Sequence, residues 1–190
     1  MTTTVLEVRD VTVRFGGVVA VNQASLTIKQ GELIGFVGPN GAGKTTLMRV
    51  ITGMVKANEG QVLLMGNELA GMAVNQRIRS GLALAQQIVQ PLRAMTLLEN
   101  VALACGAAKT DSPFTAMASY ERGSENKRAL ELLSQVGLGE VADQEPAKLP
   151  LGYLKRLEVA RAMALKPKLL LLDEPLAGLN QSEAKALADL

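Results

Sequence analysis

Two short segments carry side chains whose types and spacing could handle a triphosphate. Gly38-Pro39-Asn40-Gly41-Ala42-Gly43-Lys44-Thr45 matches G-x-x-x-x-G-K-[ST] in full, with Thr46 directly after it. The glycines let the backbone curl so that successive N–H groups point inward at phosphate oxygens. A helix starting at Lys44 adds its positive dipole end. Lys44 would then reach the β- and γ-phosphates of a nucleoside triphosphate, and the Thr45 hydroxyl would ligate Mg²⁺. The second segment is Leu169-Leu170-Leu171-Leu172-Asp173-Glu174. It is an apolar strand delivering acids at its C-terminal edge, where an open α/β sheet binds ligands. Asp173 would hold Mg²⁺ through water, because that ion keeps much of its hydration. Glu174, one residue on, is placed to polarise an attacking water as general base. Each segment has a plainer reading: a glycine-rich turn with an incidental lysine, and an acid pair capping a core strand. Finding both in one chain makes those readings the weaker ones.

The elements that must position these residues can be read outward from them. Leu33-Ile34-Gly35-Phe36-Val37 has no polar side chain and suits a strand buried on both faces of a parallel sheet. After the glycine-rich loop the pattern predicts a helix over Lys44–Thr52 stopped by Gly53. Upstream, Leu6 and Val8 alternate with charges, and Val11, Val13 and Phe15 alternate after a slip at Asp10. Gly16-Gly17 marks a turn, and Ala24, Leu26 and Ile28 alternate again, so residues 1–30 read as antiparallel β-structure. A short strand is expected over 61–65. Thr96-Leu97-Leu98-Glu99 is a capping box ahead of an apolar helix. Residues 106–123 read as a loop or loosely ordered insertion. Ala129, Leu130, Leu132, Leu133 and Val136 form one face of a further helix closed by Gly137. Leu154–Leu165 reads as another helix, and Asn180-Gln181-Ser182-Glu183 caps a last one. Strand–loop–helix order with two apolar strands means α/β, with a helical lobe at about 90–150.

Composition narrows the function classes. The chain has 190 residues, of which 48% are apolar and 20% charged, so it is globular rather than disordered. Lys and Arg number 20 against 18 Asp and Glu, a balance that gives no electrostatic footprint for nucleic acid. The single cysteine, Cys105, excludes a disulfide framework and a cysteine zinc cluster. Histidine is absent, which removes histidine-activated nucleophiles and histidine metal ligands. No N-terminal leader is visible and no apolar run approaches the roughly 18 residues of a membrane span. A soluble, cytoplasmic chain is therefore expected.

With GPNGAGKTT, the apolar run into LDEP, and RLEVARAMA just before it, nearly the whole sequence resembles the ATP-binding subunit of an ABC transporter. FGGVVAV, MTLLENV and LDEPLAGLN look most like the branched-chain amino-acid and related amide subgroup. The resemblance implies an α/β phosphate-loop NTPase core with an N-terminal antiparallel β-subdomain and a helical subdomain, making one ATP-binding domain over 1–190. It implies ATP and Mg²⁺ as ligands and a second ATP-binding subunit as partner. It also implies membrane permease subunits above the pair, a solute-binding protein acting indirectly, and a peripheral place on the cytoplasmic face of the membrane. Phe15 falls where an aromatic stacks on adenine; a core strand position is the other reading, and both stay open. Gln87 matches the glutamine that contacts Mg²⁺ and couples nucleotide to permease. Gln86 and Gln90 allow a slip of register, but counting back from Met95-Thr96 favours Gln87. Residues Gln90–Met95 would face the permease, and Ala177-Gly178-Leu179-Asn180 matches the loop that crosses the dimer interface.

Two departures stand out. The family signature L-S-G-G-Q reads here Leu149-Pro150-Leu151-Gly152-Tyr153, without the serine and one glycine that grip the partner's γ-phosphate. Gly152 and the helix start are left to offer N–H groups from Pro150–Tyr153, a weakened composite site. The chain also stops soon after Glu174, without the strand and γ-phosphate histidine of the family. That strand normally lies between the two site strands, so the sheet is expected to have a gap, and the chain to bind ATP weakly and hydrolyse it poorly. A non-hydrolysing binding or regulatory module is the alternative. A soluble ABC ATPase acting on nucleic acid or ribosomes fits less well, since no coiled-coil insertion, zinc motif or second cassette is present. A switch GTPase fails because Asn126-Lys127-Arg128-Ala129 lacks the aspartate of N-K-x-D.

Overall fold

A computed structural model describes residues 3–85, 90–107, 123–177, 181, 182 and 185. The chain forms two compact units, Met1–Leu82 and Ala83–Leu190. The first is built on β1 (Thr4–Phe15), β2 (Val18–Lys29), β3 (Glu59–Leu64) and β4 (Asn67–Glu68), in the sheet order β2-β1-β3-β4. β1 and β2 form an antiparallel hairpin from Thr4↔Lys29 to Phe15↔Val18, and β1 also pairs antiparallel with β3 through Leu6↔Leu64. The slip read at Asp10 is a β-bulge. Asp10 has φ 48°, and the register shifts between Val8 and Val11. The Ser25 hydroxyl donates to the Asp10 carboxylate at 2.8 Å and accepts the Asp10 N–H at 2.8 Å, fixing the bulge. Leu6, Val8, Val11 and Val13 are buried.

Helix α1 (Lys44–Thr52) runs over the residues the sequence predicts and ends at Gly53, which is left-handed at φ 84°. Leu47, Val50 and Ile51 turn inward. The short α2 (Val74–Arg79) carries Arg77, a buried guanidinium that the sequence reading passed over. It donates to the carbonyls of Val50 at 2.7 Å, Ile51 at 2.9 Å, Leu69 at 2.8 Å and Met72 at 3.2 Å. The first two lie at the C-terminal end of α1, where a cation offsets the negative helix pole.

One expectation fails here. Residues 33–37 form no strand and, among the described residues, pair with no other. Leu33 is 97% exposed and Val37 99%. An apolar run becomes a buried strand only when neighbours take its backbone groups and cover its faces; among the described residues no strand pairs with it, and only Phe36 within it is half-buried.

In the second unit, β5 (Leu82–Ala85) pairs with β6 (Leu169–Leu172). Three helices, α3 (Leu97–Cys105), α4 (Gly123–Gln135) and α5 (Leu151–Ala164), share one core that includes Leu97, Val101, Leu132, Leu133, Leu138 and Leu157. The capping box is formed: Thr96 Oγ1 accepts the Glu99 N–H at 3.2 Å, and Glu99 accepts the Thr96 N–H at 2.8 Å. At the end of α4, the Leu138 N–H reaches the Leu133 carbonyl at 2.7 Å around left-handed Gly137. The expected insertion over 106–123 and the expected last helix lie mostly outside the described residues.

Candidate nucleotide site

The phosphate loop is shaped by its glycines and by the strand beside it. Gly43 is the N-cap residue of α1, with φ 86°, and Gly41 has φ 83°. A Cβ on Gly43 would stand 2.3 Å from the Ala20 carbonyl oxygen, so only glycine lets β2 approach the helix start this closely. No side chain caps α1 and no acidic residue sits in its first turn. The N–H groups of that turn therefore end on the positive pole of the helix, which suits an anion. The Ala42 N–H closes the loop onto the Pro39 carbonyl at 3.2 Å. The Lys44 ammonium donates to the carbonyls of Gly38 at 2.6 Å and Pro39 at 2.9 Å, arching back over the loop it belongs to. Thr45 and Thr46 are half-buried in the same turn.

Phe15 lies at the tip of the hairpin whose β2 strand touches Gly43. It is 53% exposed, opposite Val18, with Val18 and Val19 also exposed. The core reading of Phe15 is therefore overturned: the strand carries the ring past the edge of the buried face. A cavity of about 570 Å³ in this unit is lined by Val55, Lys56, Met72 and Arg77 among others, and no phosphate-loop residue takes part.

In the second unit the acids stand where β6 ends. Leu169 and Leu171 are buried, and the Asp173 N–H extends the pairing by donating to the Ala85 carbonyl at 3.2 Å. Asp173 is half-buried, whereas Glu174 is exposed and has φ 48°. A turn follows, with the Ala177 N–H on the Glu174 carbonyl at 3.1 Å and Pro175 between them. Lys155, a residue with no sequence motif to mark it, reaches this turn from α5: its ammonium donates to the carbonyls of Glu174 and Ala177. Burial lowers the Lys155 pKa, and the Glu174 charge opposes that shift.

The altered signature segment begins α5 three residues earlier than predicted. Pro150 is the N-cap residue, and its carbonyl accepts the N–H of Tyr153 at 3.1 Å and of Leu154 at 3.3 Å. Leu151, Gly152 and Tyr153 thus make the first helical turn, because Pro150 can lead a helix without needing an N–H. Arg156 places its guanidinium 5.3 Å from the Tyr153 ring centre, leaving its Nε buried without a hydrogen-bond partner. Arg161 pairs with Glu158 at 2.6 Å and donates to the Gln90 carbonyl at 3.2 Å. Gln86 and Gln87 lie outside the described residues, as do Gly178, Leu179 and Asn180. Just beyond, buried Asn100 donates to the carbonyls of Leu92, Met95 and Thr96 and accepts the Leu92 N–H at 2.9 Å, shaping residues 92–96.

The ABC transporter family model matches residues 21–177, a span that contains both the phosphate loop and the acid pair. The chain belongs to the ABC transporter family. It is 37% identical over its full length to the high-affinity branched-chain amino acid transport ATP-binding protein LivG of Escherichia coli K12, covering 76% of that protein. Against BraF of Pseudomonas aeruginosa, with the same described role, it is 36% identical, again covering 76%. Among solved structures it resembles the ADP conformation of MJ1267, an ATP-binding cassette of an ABC transporter. That match has a TM-score of 0.82 and 28% identity, covering 99% of this chain and 75% of the other. The dimeric post-hydrolysis state of the cassette MJ0796 bound to ADP and Pi matches with TM-score 0.80 and 26% identity, over 97% of this chain and 80% of the other. This ABC cassette is accordingly an ATP-binding, ATP-hydrolysing chain with the phosphate-loop NTPase fold. Among its described residues no helix is long and apolar enough to cross a membrane.

Proposed function

We propose that this cassette powers solute import through a membrane permease, with branched-chain amino acids or related amides as cargo. The single observation that carries the reading is the complete phosphate loop at the start of α1, closed against β2 by Gly43. The likeness to LivG and BraF supports the cargo class. In this reading the loop N–H groups of Gly38–Thr46 and the Lys44 ammonium hold the β- and γ-phosphates of ATP. Lys44 exchanges its carbonyl partners for phosphate oxygens, a charge-assisted and stronger contact. Phe15, with Val18 and Val19 beside it, offers its exposed ring to adenine.

The donor set fits Mg²⁺. The Thr45 hydroxyl, the Asp173 carboxylate and the Gln87 side-chain oxygen are hard ligands, and this ion prefers oxygen and keeps its waters. Bound there, it would neutralise charge on the β- and γ-phosphate oxygens. Glu174, exposed at the end of β6, orients and deprotonates the attacking water. Pro150–Tyr153 at the start of α5 faces the nucleotide of a second ATP-binding subunit, with fewer donors than a serine- and glycine-rich signature supplies. Residues Gln90–Met95, held by Asn100, meet the permease on the cytoplasmic face of the membrane, and a solute-binding protein delivers the cargo. Both compact units belong to one ATP-binding domain, with the lobe of α3 and α4 as its helical part.

Calorimetry with Mg-ATP tests the reading, beside Lys44→Ala. Losing the ammonium removes at least one charge-assisted contact of about 1.5–3 kcal/mol, so affinity should fall roughly 10- to 150-fold. Equal affinity in the two proteins would remove the phosphate loop from the mechanism. No heat with either would place the nucleotide site beyond what these residues can form.

A further inference from the structure

The Glu174 backbone sits in a conformation that side-chain-bearing residues avoid, and one buried ammonium lies on it. Glu174 has φ 48°, in the left-handed region where Cβ crowds the following carbonyl. Such a residue stays there only when its surroundings over-determine it. Three features do so. β6 ends at Leu172, and the Asp173 N–H extends its pairing to the Ala85 carbonyl at 3.2 Å. Pro175 follows with its φ fixed by the ring. The Glu174 carbonyl accepts twice, from the Ala177 N–H at 3.1 Å and from Lys155 Nζ at 3.2 Å.

Lys155 does more than add a bond. The same ammonium also donates to the Ala177 carbonyl, so one charged group ties both ends of the turn 174–177 to α5. Lys155 is 6% exposed, a place where lysine is rare without a partner for its charge. Here backbone carbonyls satisfy it and Glu174 favours its charged form. A neutral residue of similar length would leave the Glu174 and Ala177 carbonyls without this donor.

We propose that Lys155 is a positioning residue for hydrolysis: it holds the Glu174 peptide left-handed and thereby sets the direction in which the Glu174 side chain leaves the backbone. The proposal rests on reading Glu174 as the general base. A peptide released to ordinary negative φ rotates its Cα–Cβ bond away, and the carboxylate loses its aim while the phosphate loop is untouched. The helix that opens with Pro150–Tyr153 would then aim the base from its next turn.

The test uses Lys155→Met, Lys155→Arg, Glu174→Gln and the Lys155→Met/Glu174→Gln pair, with three readouts. These are hydrogen exchange across residues 169–177, Mg-ATP affinity, and steady-state hydrolysis. Lys155→Met should speed exchange of the Ala177 amide at least tenfold and lower kcat at least tenfold, with affinity kept within twofold. Lys155→Arg should recover most of both. In the Glu174→Gln background, Lys155→Met should lower the residual rate no further, since nothing remains to be aimed; a general loss of structure would lower it again. Unchanged exchange and kcat in Lys155→Met overturn the proposal, and so does an equal fall in both backgrounds. Glu174→Gln hydrolysing at the parent rate overturns the reading of the base, and this proposal with it. An inactive Glu174→Gln beside a fully active Lys155→Met overturns the role of Lys155 alone. If Lys155→Met loses its cooperative unfolding transition, Lys155→Gln takes its place with the same expectations, since its shorter amide cannot bridge both carbonyls.

Discussion

Gly43 offers a perturbation whose two costs can be separated by a neighbour. Gly41 and Gly43 have nearly the same backbone conformation, φ 83° and 86°. They differ in what a methyl group would meet. Nothing lies within 4 Å of a Cβ on Gly41, whereas one on Gly43 would stand 2.3 Å from the Ala20 carbonyl oxygen and 3.2 Å from Val21 Cγ2. Gly41→Ala therefore reports left-handed strain alone, about 1–2 kcal/mol. Gly43→Ala carries the same strain and must also push the β2 backbone back by about 1 Å, an overpacking cost of about 1–3 kcal/mol. The second variant should be the less stable by about 2 kcal/mol, which for a chain of this size is about 4–8 °C in Tm. Paired thermal and urea unfolding of the two variants without nucleotide measures this difference. Gly43→Ala should also weaken Mg-ATP binding more, because the displaced strand carries Val18, which lies opposite Phe15. Equal Tm and equal urea midpoints would refute the reasoning: β2 would then yield freely, and the loop's shape would not depend on it.

The other expected outcomes are simpler. Arg77→Met removes the buried donor of four carbonyls, of which Val50 keeps the Gly53 N–H and Leu69 the Met72 N–H, and should cost about 2–6 kcal/mol, at about 1–3 kcal/mol for each of the other two. Arg77→Lys should recover little, because an ammonium cannot reproduce the planar fork; full recovery in urea unfolding would show that charge alone matters. Asn100→Ala removes the side-chain partner of the Leu92 N–H and of the Met95 carbonyl, both part-buried, and should cost about 1–3 kcal/mol. Its exchange protection should fall at 92–96 first, and loss spread evenly over α3 would contradict the assignment. Burial raises the Cys105 pKa, with the Arg128 charge opposing it. Its alkylation by iodoacetamide should be slower than that of a free thiol at pH 7.5 and keep climbing above pH 9, where a free thiol levels off. The unfolded chain loses that proton first, so stability from this residue is lost as pH rises between the ordinary and the raised value. A rate plateau below pH 8.5 would contradict that.

What the sequence disclosed was local chemistry. The Lys44–Thr52 helix with its Gly53 stop, the Thr96–Glu99 capping box and the bulge at Asp10 each depend on a few adjacent residues, and each is formed. The family followed from motifs of the same kind, spaced along the chain. What stayed hidden depends on distant backbone. Arg77 and Lys155 find carbonyls up to 27 and 22 positions away, and no local pattern marks a lysine or arginine as buried. Asn100 looked like one more polar residue after a capping box. The run at 33–37 misled for the opposite reason: its composition matches a buried strand, but burial belongs to the neighbours and not to the run. Phe15 divided the two readings because alternation predicts which face a residue is on, and not whether the sheet continues past it.

The same run has a consequence for handling the protein. Leu33-Ile34-Gly35-Phe36-Val37 holds no charge and no proline, and is flanked by Glu32 before it and Pro39 two residues after it. An exposed, uncharged stretch of strand-forming residues with unshared backbone groups is a template for pairing with another chain. Solubility of this cassette should therefore fall with concentration through this one edge, well before the fold itself gives way. A lysine in place of Val37, which is already almost wholly in solvent, should raise the usable concentration while leaving the melting temperature where it was.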